Sequence, residues 1–280
     1  MRMLFVGCGN MGSALVRGMV GSRVVRPDDL ALLDIDIPSA LRLAGETGAH
    51  VADSPDKALA EADIVLLAMK PAQTLQWLSG MRSRLTSTQA VLSIAAGVSL
   101  SSLRDAAGPY PVLIRAMPNT AALVGEGVTA LCTETPSAGA EGPSPERCRQ
   151  VMEKAKSLLS SVGLVVEVPE DRMDAVTGLS GSGPAYMMLA IEAMADAGVA
   201  LGIPRADAMR MAAQTVRGAG SLVLSTGQHP GVLKDQVCSP GGTTIQAIRT
   251  LERQGFRSAL MEAVLASAEK SAALSGKRKE

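Results

Sequence analysis

The stretch Val237-Cys238-Ser239-Pro240-Gly241-Gly242-Thr243-Thr244-Ile245 combines the parts of an anion site. Pro240 and the two glycines punctuate a loop, and Ile245, Ile248 and Leu251 then recur at helical spacing. A helix that begins at glycines exposes first-turn N–H groups that have no partner inside the helix. Open donors and the positive end of the helix dipole coincide there, so an anion is attracted. Thr243 and Thr244 add hydroxyls beside those donors. The same residue types also make a capped helix after a tight turn. Taken alone, the stretch leaves both uses open.

A second set of chemistry-bearing residues opens the chain. Met3-Leu4-Phe5-Val6 is a short apolar run of buried-strand type. Gly7-Cys8-Gly9-Asn10-Met11-Gly12 follows at once, and Leu15, Val16, Met19 and Val20 repeat with helical period. Strand, G-x-G-x-x-G and helix in succession is the context in which this motif predicts a dinucleotide site. Gly7 permits the tight turn, Gly9 lets a pyrophosphate approach the backbone, and Gly12 lets the helix pack on the strand. Leu30–Leu33 reads as the second strand and ends in Asp34-Ile35-Asp36. Asp34 lies 22 residues beyond Gly12, near the usual offset of about 20 for the residue that meets the adenosine ribose. A carboxylate there accepts from a free 2′-hydroxyl and repels a 2′-phosphate, so Asp34 argues for NADH over NADPH. The alternative is an ordinary turn aspartate.

The elements that must position these residues follow from apolar patterning. A helical stretch over residues 38–45 and a weak strand over 49–52 come next, and Ser54-Pro55 reads as a helix cap followed by proline at the first helical position. Ile64-Val65-Leu66-Leu67-Ala68 is a continuous apolar run, as expected of a central parallel strand, and it ends in Met69-Lys70-Pro71. Val91-Leu92-Ser93-Ile94 ends in Ala95-Ala96-Gly97, and residues 112–116 end in Met117-Pro118-Asn119-Thr120. Three successive strands thus stop at small or polar tips on one rim. That is where open α/β sheets bind ligands. Residues 128–132 offer a further strand, 133–145 an exposed loop, 146–161 a helix and 164–168 a last strand. The expected fold class is α/β, a doubly wound parallel (Rossmann) sheet in residues 1–168, with an all-helical domain in residues 169–280. Helices are expected there over 185–201, 204–224, 243–253 and 256–274. An alanine-rich helical domain of this kind buries its remaining apolar faces against a twin, so a homodimer is expected.

Composition narrows the function. Apolar residues make up 47% and charged residues 19%, a globular balance. Lys plus Arg equals Asp plus Glu at 27 each, which gives no basic field for nucleic acid or an anionic membrane. Aromatic residues are 2%, too few for a stacking platform. The four cysteines show neither metal spacing nor a disulfide framework, no apolar run is long enough to span a membrane, and no metal site is expected. A cytoplasmic protein with reduced thiols is the expectation.

Over nearly its whole length the chain resembles the pyrroline-5-carboxylate reductases, which make L-proline. The carriers are Gly7–Gly12, Met69-Lys70-Pro71, Ser93–Val98, Ile114–Thr120, Gly178–Tyr186, His229-Pro230-Gly231 and Leu233–Ile245. The resemblance implies an N-terminal Rossmann domain and a helical C-terminal dimerisation domain, with dimers gathered five at a time into decamers. It implies that NAD(P)H meets Gly7, Gly9, Asn10, Met11, Gly12, Met69, Lys70, Pro71, Ala95, Ala96, Gly97 and Asn119. It also implies that Ser239, Gly241, Gly242, Thr243 and Thr244 hold the substrate carboxylate, that Val237 lines the pocket, and that Thr244 lies close to the ring nitrogen. The active site would join the Rossmann domain of one subunit to the helical domain of another. Relatives with Ser, Thr or Arg after the second strand prefer NADPH, and Asp34-Ile35-Asp36 departs from that pattern.

Reduction of a cyclic imine needs an anchored carboxylate and an aimed ring rather than a metal or covalent nucleophile, which agrees with a chain holding only His50 and His229. His229 between Gln228 and Pro230 reads as a turn residue, Cys238 as a small filler, and Lys234 and Asp235 as a pair or a solvated charge patch. A β-hydroxyacid dehydrogenase or general imine reductase would want a lysine or other acid near residues 180–186, where there is no lysine. A dinucleotide-sensing scaffold would have no use for Ser239–Thr244.

Overall fold

Strands made of four consecutive apolar residues have no polar face to offer solvent, so they must be covered on both sides by helices. The computed structural model describes residues 1–134 and 142–274. Its elements in chain order are β1 (Met3–Val6), α1 (Asn10–Gly21), β2 (Leu30–Leu33), α2 (Ile37–Thr47), β3 (His50–Val51), α3 (Pro55–Glu61), β4 (Ile64–Leu67), α4 (Pro71–Met81), β5 (Ala90–Ser93) and α5 (Leu100–Ala107). After these come β6 (Val112–Pro118), β7 (Gly127–Thr133), α6 (Pro145–Leu159), β8 (Gly163–Glu167) and a short α7 (Met173–Val176). The chain ends in α8 (Gly183–Ala200), α9 (Arg205–Thr226), α10 (Pro230–Val237), α11 (Thr243–Arg253) and α12 (Phe256–Leu274). The loop expected over 133–145 falls largely outside the described residues.

The eight strands form one sheet in the order β3-β2-β1-β4-β5-β6-β7-β8. The first six in that order run parallel, and the sheet winds outward in both directions from the β1–β4 junction. Alternate side chains feed two cores. Met3 and Phe5 join Leu15, Met19 and Leu43 on one face, while Leu4 and Val6 join Leu59, Leu78 and Leu103 on the other. Each of these large side chains contributes roughly 1.5–3 kcal/mol on full burial.

The doubly wound parallel sheet expected from the sequence is present, and one pairing in it departs from the parallel direction. β7 runs antiparallel to β6, and β8 runs parallel to β7. The link 119–126 between β6 and β7 holds one 3-10 turn, Thr120–Val124. A parallel return requires a crossover of a dozen or more residues, so this short link forces a reversal. At α3, Ser54 accepts from the Lys57 N–H and Pro55 stands at the first helical position, as the sequence predicts.

Two compact units result. One comprises residues 1–181 together with the end of α12 from Ala268, and the other comprises residues 182–267. Within the first, α7 runs into a π-turn, Thr177–Gly181, and the buried Ser271 hydroxyl on α12 donates to Asp174 at 2.8 Å. The second unit is helical, with a buried core of Ala195, Ala208 and Ala212 against which Ile191 and Ile203 pack. No described helix is long and apolar enough to cross a membrane.

The β7–β8 pair starts with glycine facing glycine, Gly127 opposite Gly163. Gly163 has φ +140°, and a Cβ there would sit 2.0 Å from the Gly127 carbonyl oxygen. Gly163→Ala is therefore expected to lower the unfolding free energy by at least about 2 kcal/mol. A urea titration reads this as a lower midpoint with an unchanged slope. An unshifted midpoint would mean that the strands do not approach as closely as described.

Candidate active site

The strand tips line up because the register is continuous. Val6 pairs with Leu33 on one side and Leu67 on the other, and Leu67 pairs in turn with Ser93, which pairs with Arg115. The ladder extends one residue further, with the Gly7 N–H donating to the Leu33 carbonyl at 2.8 Å and the Ala68 N–H to the Val6 carbonyl at 2.7 Å. Beyond these ends, at the junction where the winding direction changes, lies a crevice of about 580 Å³. Gly7 and Gly9 line it from the first turn, Leu33, Asp34 and Ile35 from the end of β2, and Ala68, Met69 and Lys70 from the end of β4. Another hollow, of about 370 Å³ near Arg2, His50 and Lys57, lies at the opposite ends of the strands. The switch-point crevice is the one at which this topology binds ligands.

The glycines make room for a dinucleotide. Gly7 has φ +103°, and a Cβ on it would lie 2.5 Å from the Ala68 carbonyl oxygen. A Cβ on Gly12 would lie 2.0 Å from the Gly7 carbonyl oxygen, so any side chain there would push α1 off the strand. Gly9 has open space around it and caps α1 without a side-chain hydrogen bond. The first-turn N–H groups near Asn10, Met11 and Gly12 therefore have no capping side chain, and an anion such as a pyrophosphate fits them.

Asp34 is held by the backbone on both oxygens. Oδ2 accepts the Cys8 N–H at 2.5 Å, and Oδ1 accepts the Asp36 N–H at 2.8 Å. An ionised carboxylate retains further lone pairs for a ribose hydroxyl. Burial pushes the Cys8 thiol up to about 12, and the Asp34 charge adds to that rise. Lys70 stands at the start of α4 with Pro71 after it, and its ammonium forms no ion pair among the described residues.

The other tips are occupied differently. Past β5, Ala95 is buried, Ala96 is exposed and Gly97 turns with φ +74°. Past β6, the Asn119 side chain is buried between two backbone partners, donating to the Ser180 carbonyl at 3.0 Å and accepting from the Val128 N–H at 3.1 Å. It ties the sheet edge to the π-turn.

The loop before α11 lies in the second compact unit. Ser239-Pro240-Gly241-Gly242 forms a turn in which the Gly242 N–H donates to the Ser239 carbonyl at 3.0 Å and Gly241 has φ +67°. Proline at the second position and glycine at positive φ in the third are what a type II turn demands. Gly242 is the N-cap of α11, and no side chain caps it. Val237, Ser239, Gly241 and Thr243 are exposed, and Thr244 is half-buried. His229 caps α10, its Nδ1 accepting the Gly231 N–H at 3.0 Å, and Lys234 pairs with Asp235 at 2.7 Å.

Three residues that line the switch-point crevice were not singled out by the sequence: Gln73, Gln76 and Trp77 on α4. The signal was present in their helical spacing from Lys70, since positions 70, 73 and 77 share a face once a helix starts at Pro71.

Comparison with known proteins bears on the whole chain. Residues 170–274 match the family model described as pyrroline-5-carboxylate reductase dimerisation, and residues 2–97 match the model described as NADP oxidoreductase coenzyme F420-dependent. The chain is 43% identical over 273 residues to a pyrroline-5-carboxylate reductase of Methanosarcina acetivorans, covering 98% of this chain and 97% of that one. It is equally similar, 43% over 271 residues, to the Escherichia coli protein of that name, with 97% of each chain covered. The solved pyrroline-5-carboxylate reductase of Coxiella burnetii superposes with a TM-score of 0.88 at 31% identity, with 98% of each chain covered. The Plasmodium falciparum pyrroline carboxylate reductase with NADP bound gives 0.81 at 29%, again with 98% of each chain covered.

Because the Cys8 thiol is buried and its pKa is raised to about 12, it stays protonated across the working range and lacks the thiolate that alkylating reagents attack. Iodoacetamide at about pH 8 is expected to leave Cys8 unmodified in the native protein and to label it after unfolding. Peptide mass mapping checks this, and labelling of native Cys8 would contradict the burial and charge environment described.

Proposed function

The chain belongs to the pyrroline-5-carboxylate reductase family, and on that premise we propose which of its residues carry the reaction. It is an NAD(P)H-dependent oxidoreductase that reduces the C=N bond of (S)-1-pyrroline-5-carboxylate to give L-proline, the last step of proline biosynthesis. The substrate is a cyclic imine with one carboxylate, and protonation of its nitrogen makes the adjacent doubly bonded carbon electrophilic. When bound, the reduced nicotinamide supplies the hydride that this carbon takes up. What remains for the protein is to anchor the carboxylate, aim one face of the ring and exclude water.

The observation that carries the assignment is the start of α11, where Gly242 is the N-cap and no side chain satisfies the first-turn donors. We assign the substrate carboxylate to the N–H groups of Thr243 and Thr244, with Ser239, Gly241 and Gly242 shaping the turn that presents them and the exposed Val237 serving as an apolar wall. The Thr244 hydroxyl hydrogen-bonds the ring nitrogen as it becomes an amine. On the cofactor side, Gly7, Gly9, Asn10, Met11 and Gly12 hold the pyrophosphate, with Lys70 as its cationic partner. Met69, Pro71, Ala95, Ala96, Gly97 and Asn119 shape the rest of the site. Residues 1–168 then form the cofactor domain and 169–280 the substrate and dimerisation domain.

Asp34 sets the cofactor. Its carboxylate is locked in place by two backbone N–H groups, so its charge cannot swing away from an incoming 2′-phosphate. This supports use of NADH at least as well as NADPH.

The chain carries a dimerisation domain and is homo-oligomeric. Its helical unit buries a core of three alanines while Met211, Leu224, Met261 and Leu265 remain exposed. That imbalance supports a homodimer, and we propose that the α11 loop of one copy completes the cofactor crevice of the other and that five such dimers form a decamer. Cysteines that form no disulfide accord with a cytoplasmic setting.

Two outcomes are expected. Thr244→Val should lower kcat by roughly 10²-fold, by analogy with other positioned donors, while NAD(P)H binding measured by calorimetry changes little. Unchanged turnover would remove Thr244 from the chemistry. In parallel steady-state assays that follow proline formation, kcat/KM with NADH should equal or exceed that with NADPH, and Asp34→Ser should move the ratio toward NADPH by about tenfold or more. A large NADPH preference in the wild type would overturn the role given to Asp34.

A further inference from the structure

The carboxylate of Glu170 takes no part in the assignments above, yet donors from two distant segments meet on one of its oxygens. Oε1 accepts the Leu100 N–H at 2.6 Å and an Arg115 guanidinium N–H at 3.1 Å. Arg115 is 3% exposed and has no other ion-pair partner among the described residues. A guanidinium buried this deeply is costly unless paired, so the pair holds the Glu170 carboxylate in place. Glu170 stands on the 3-10 turn Glu170–Arg172 after β8. It borders a hollow of about 860 Å³ with Leu100 and Ser101, and does not line the switch-point crevice. What it does for a bound cofactor it does through other residues.

Those residues close the β5 tip. The loop 94–99 leaves β5 with the Ile94 N–H donating to the Leu67 carbonyl at 3.1 Å and the Ala95 N–H to the buried Ser93 hydroxyl at 3.3 Å. It turns at Gly97, where a Cβ would lie 4.0 Å from the Leu274 Cβ on α12, and it buries Val98. Ser99 then caps α5 by accepting the Ser102 N–H at 3.1 Å. Ser93, at the near end of the loop, pairs with Arg115 across the sheet. Glu170 therefore acts on both ends, through Arg115 beside the start and through the Leu100 N–H at the finish. All of these residues belong to the first compact unit. We propose that Glu170, with Arg115 holding its carboxylate, is a positioning residue for hydride transfer that fixes the loop 94–99 against the nicotinamide end of the cofactor. The proposal rests on the reading of Ala95, Ala96 and Gly97 as cofactor contacts. The groups assigned to pyrophosphate and ribose, Gly7–Gly12 and Asp34, are set by β1 and β2 and do not depend on Glu170. Loosening the loop thus leaves binding in place and costs alignment at the reacting carbon, which slows the chemical step.

The test uses the full-length enzyme, proline formation as the assay, and reduced dinucleotide with hydrogen or deuterium at the transferred position. Glu170→Ala should lower kcat about tenfold, within the roughly 10²-fold that a 1 Å misplacement can cost. It should also raise the deuterium isotope effect on kcat as the chemical step becomes limiting. Binding of the reduced dinucleotide, measured by calorimetry, should stay within about twofold. A purely structural role would lower the amount of active enzyme and leave the isotope effect unmoved. Glu170→Gln still accepts the Leu100 N–H and should recover most of the loss. The double variant Arg115→Met, Glu170→Met removes the buried charge together with its partner, so it decides the matter if Glu170→Ala does not fold. It should repeat both the fall in kcat and the rise in isotope effect. An unchanged isotope effect in the folded variant, or a loss confined to KM, would refute the proposal. Ala96→Leu examines the β5 tip itself and should impair cofactor use directly. Wild-type kinetics in Ala96→Leu would remove the tip from the cofactor site and the proposal with it. Impairment there beside wild-type kinetics in the Glu170 variants would refute the role of Glu170 alone.

Discussion

The close approach of three backbone segments at Gly7 is the constraint on which the rest of the cofactor side depends. β1 ends there, β4 passes within contact at Ala68, and α1 returns over the turn at Gly12. A single Cβ at Gly7 or Gly12 would overlap a carbonyl oxygen. Removing side chains from this point lets the helix N-terminus and the strand tips face one volume, which is how a parallel sheet creates a binding site at its switch point. The apolar strands supply the rigidity, since each is buried on both faces and has no register to slip into without exposing its core residues.

Charge is distributed sparingly around that point. Asp34 fastens the end of β2 to the glycine turn through the Cys8 N–H and holds its own turn through the Asp36 N–H. One carboxylate thus both shapes the loop and places negative charge on the wall of the switch-point crevice. Lys70 is the complementary cation in the same crevice. Asn119 spends its side chain on the Ser180 carbonyl and the Val128 N–H, so it orders the rim by joining the sheet edge to the π-turn. π-turns often mark functional positions, and this one immediately precedes the start of the helical unit at Ser182.

The helical unit follows a different economy. Its small side chains let helices approach closely but bury little apolar area: the core of residues 182–267 is Ala195, Ala208 and Ala212 with Ile191 and Ile203 packed against them. Its exposed methionines and leucines need a second copy to cover them. Homo-oligomerisation through a dimerisation domain accords with these exposed side chains.

Much of this was legible along the chain. Strand order, the glycine turn, the tips at Met69, Ala95 and Asn119, and the helix start at Thr243 follow from local periodicity and from where glycine and proline fall, which are properties of neighbouring residues; the helices α4, α5 and α10 were not read there. The sequence also determined that Asp34 ends the second strand, and its resemblance to one family determined the reaction. Tertiary structure alone decided that β7 reverses, because the direction depends on what the short link 119–126 can span. It alone showed that Asp34 reaches back 26 residues to Cys8, that Asn119 reaches forward 61 residues to Ser180, and that Trp77 borders the crevice. These are contacts between segments distant in sequence, and no local pattern encodes which partner a side chain meets once the sheet has closed the distance.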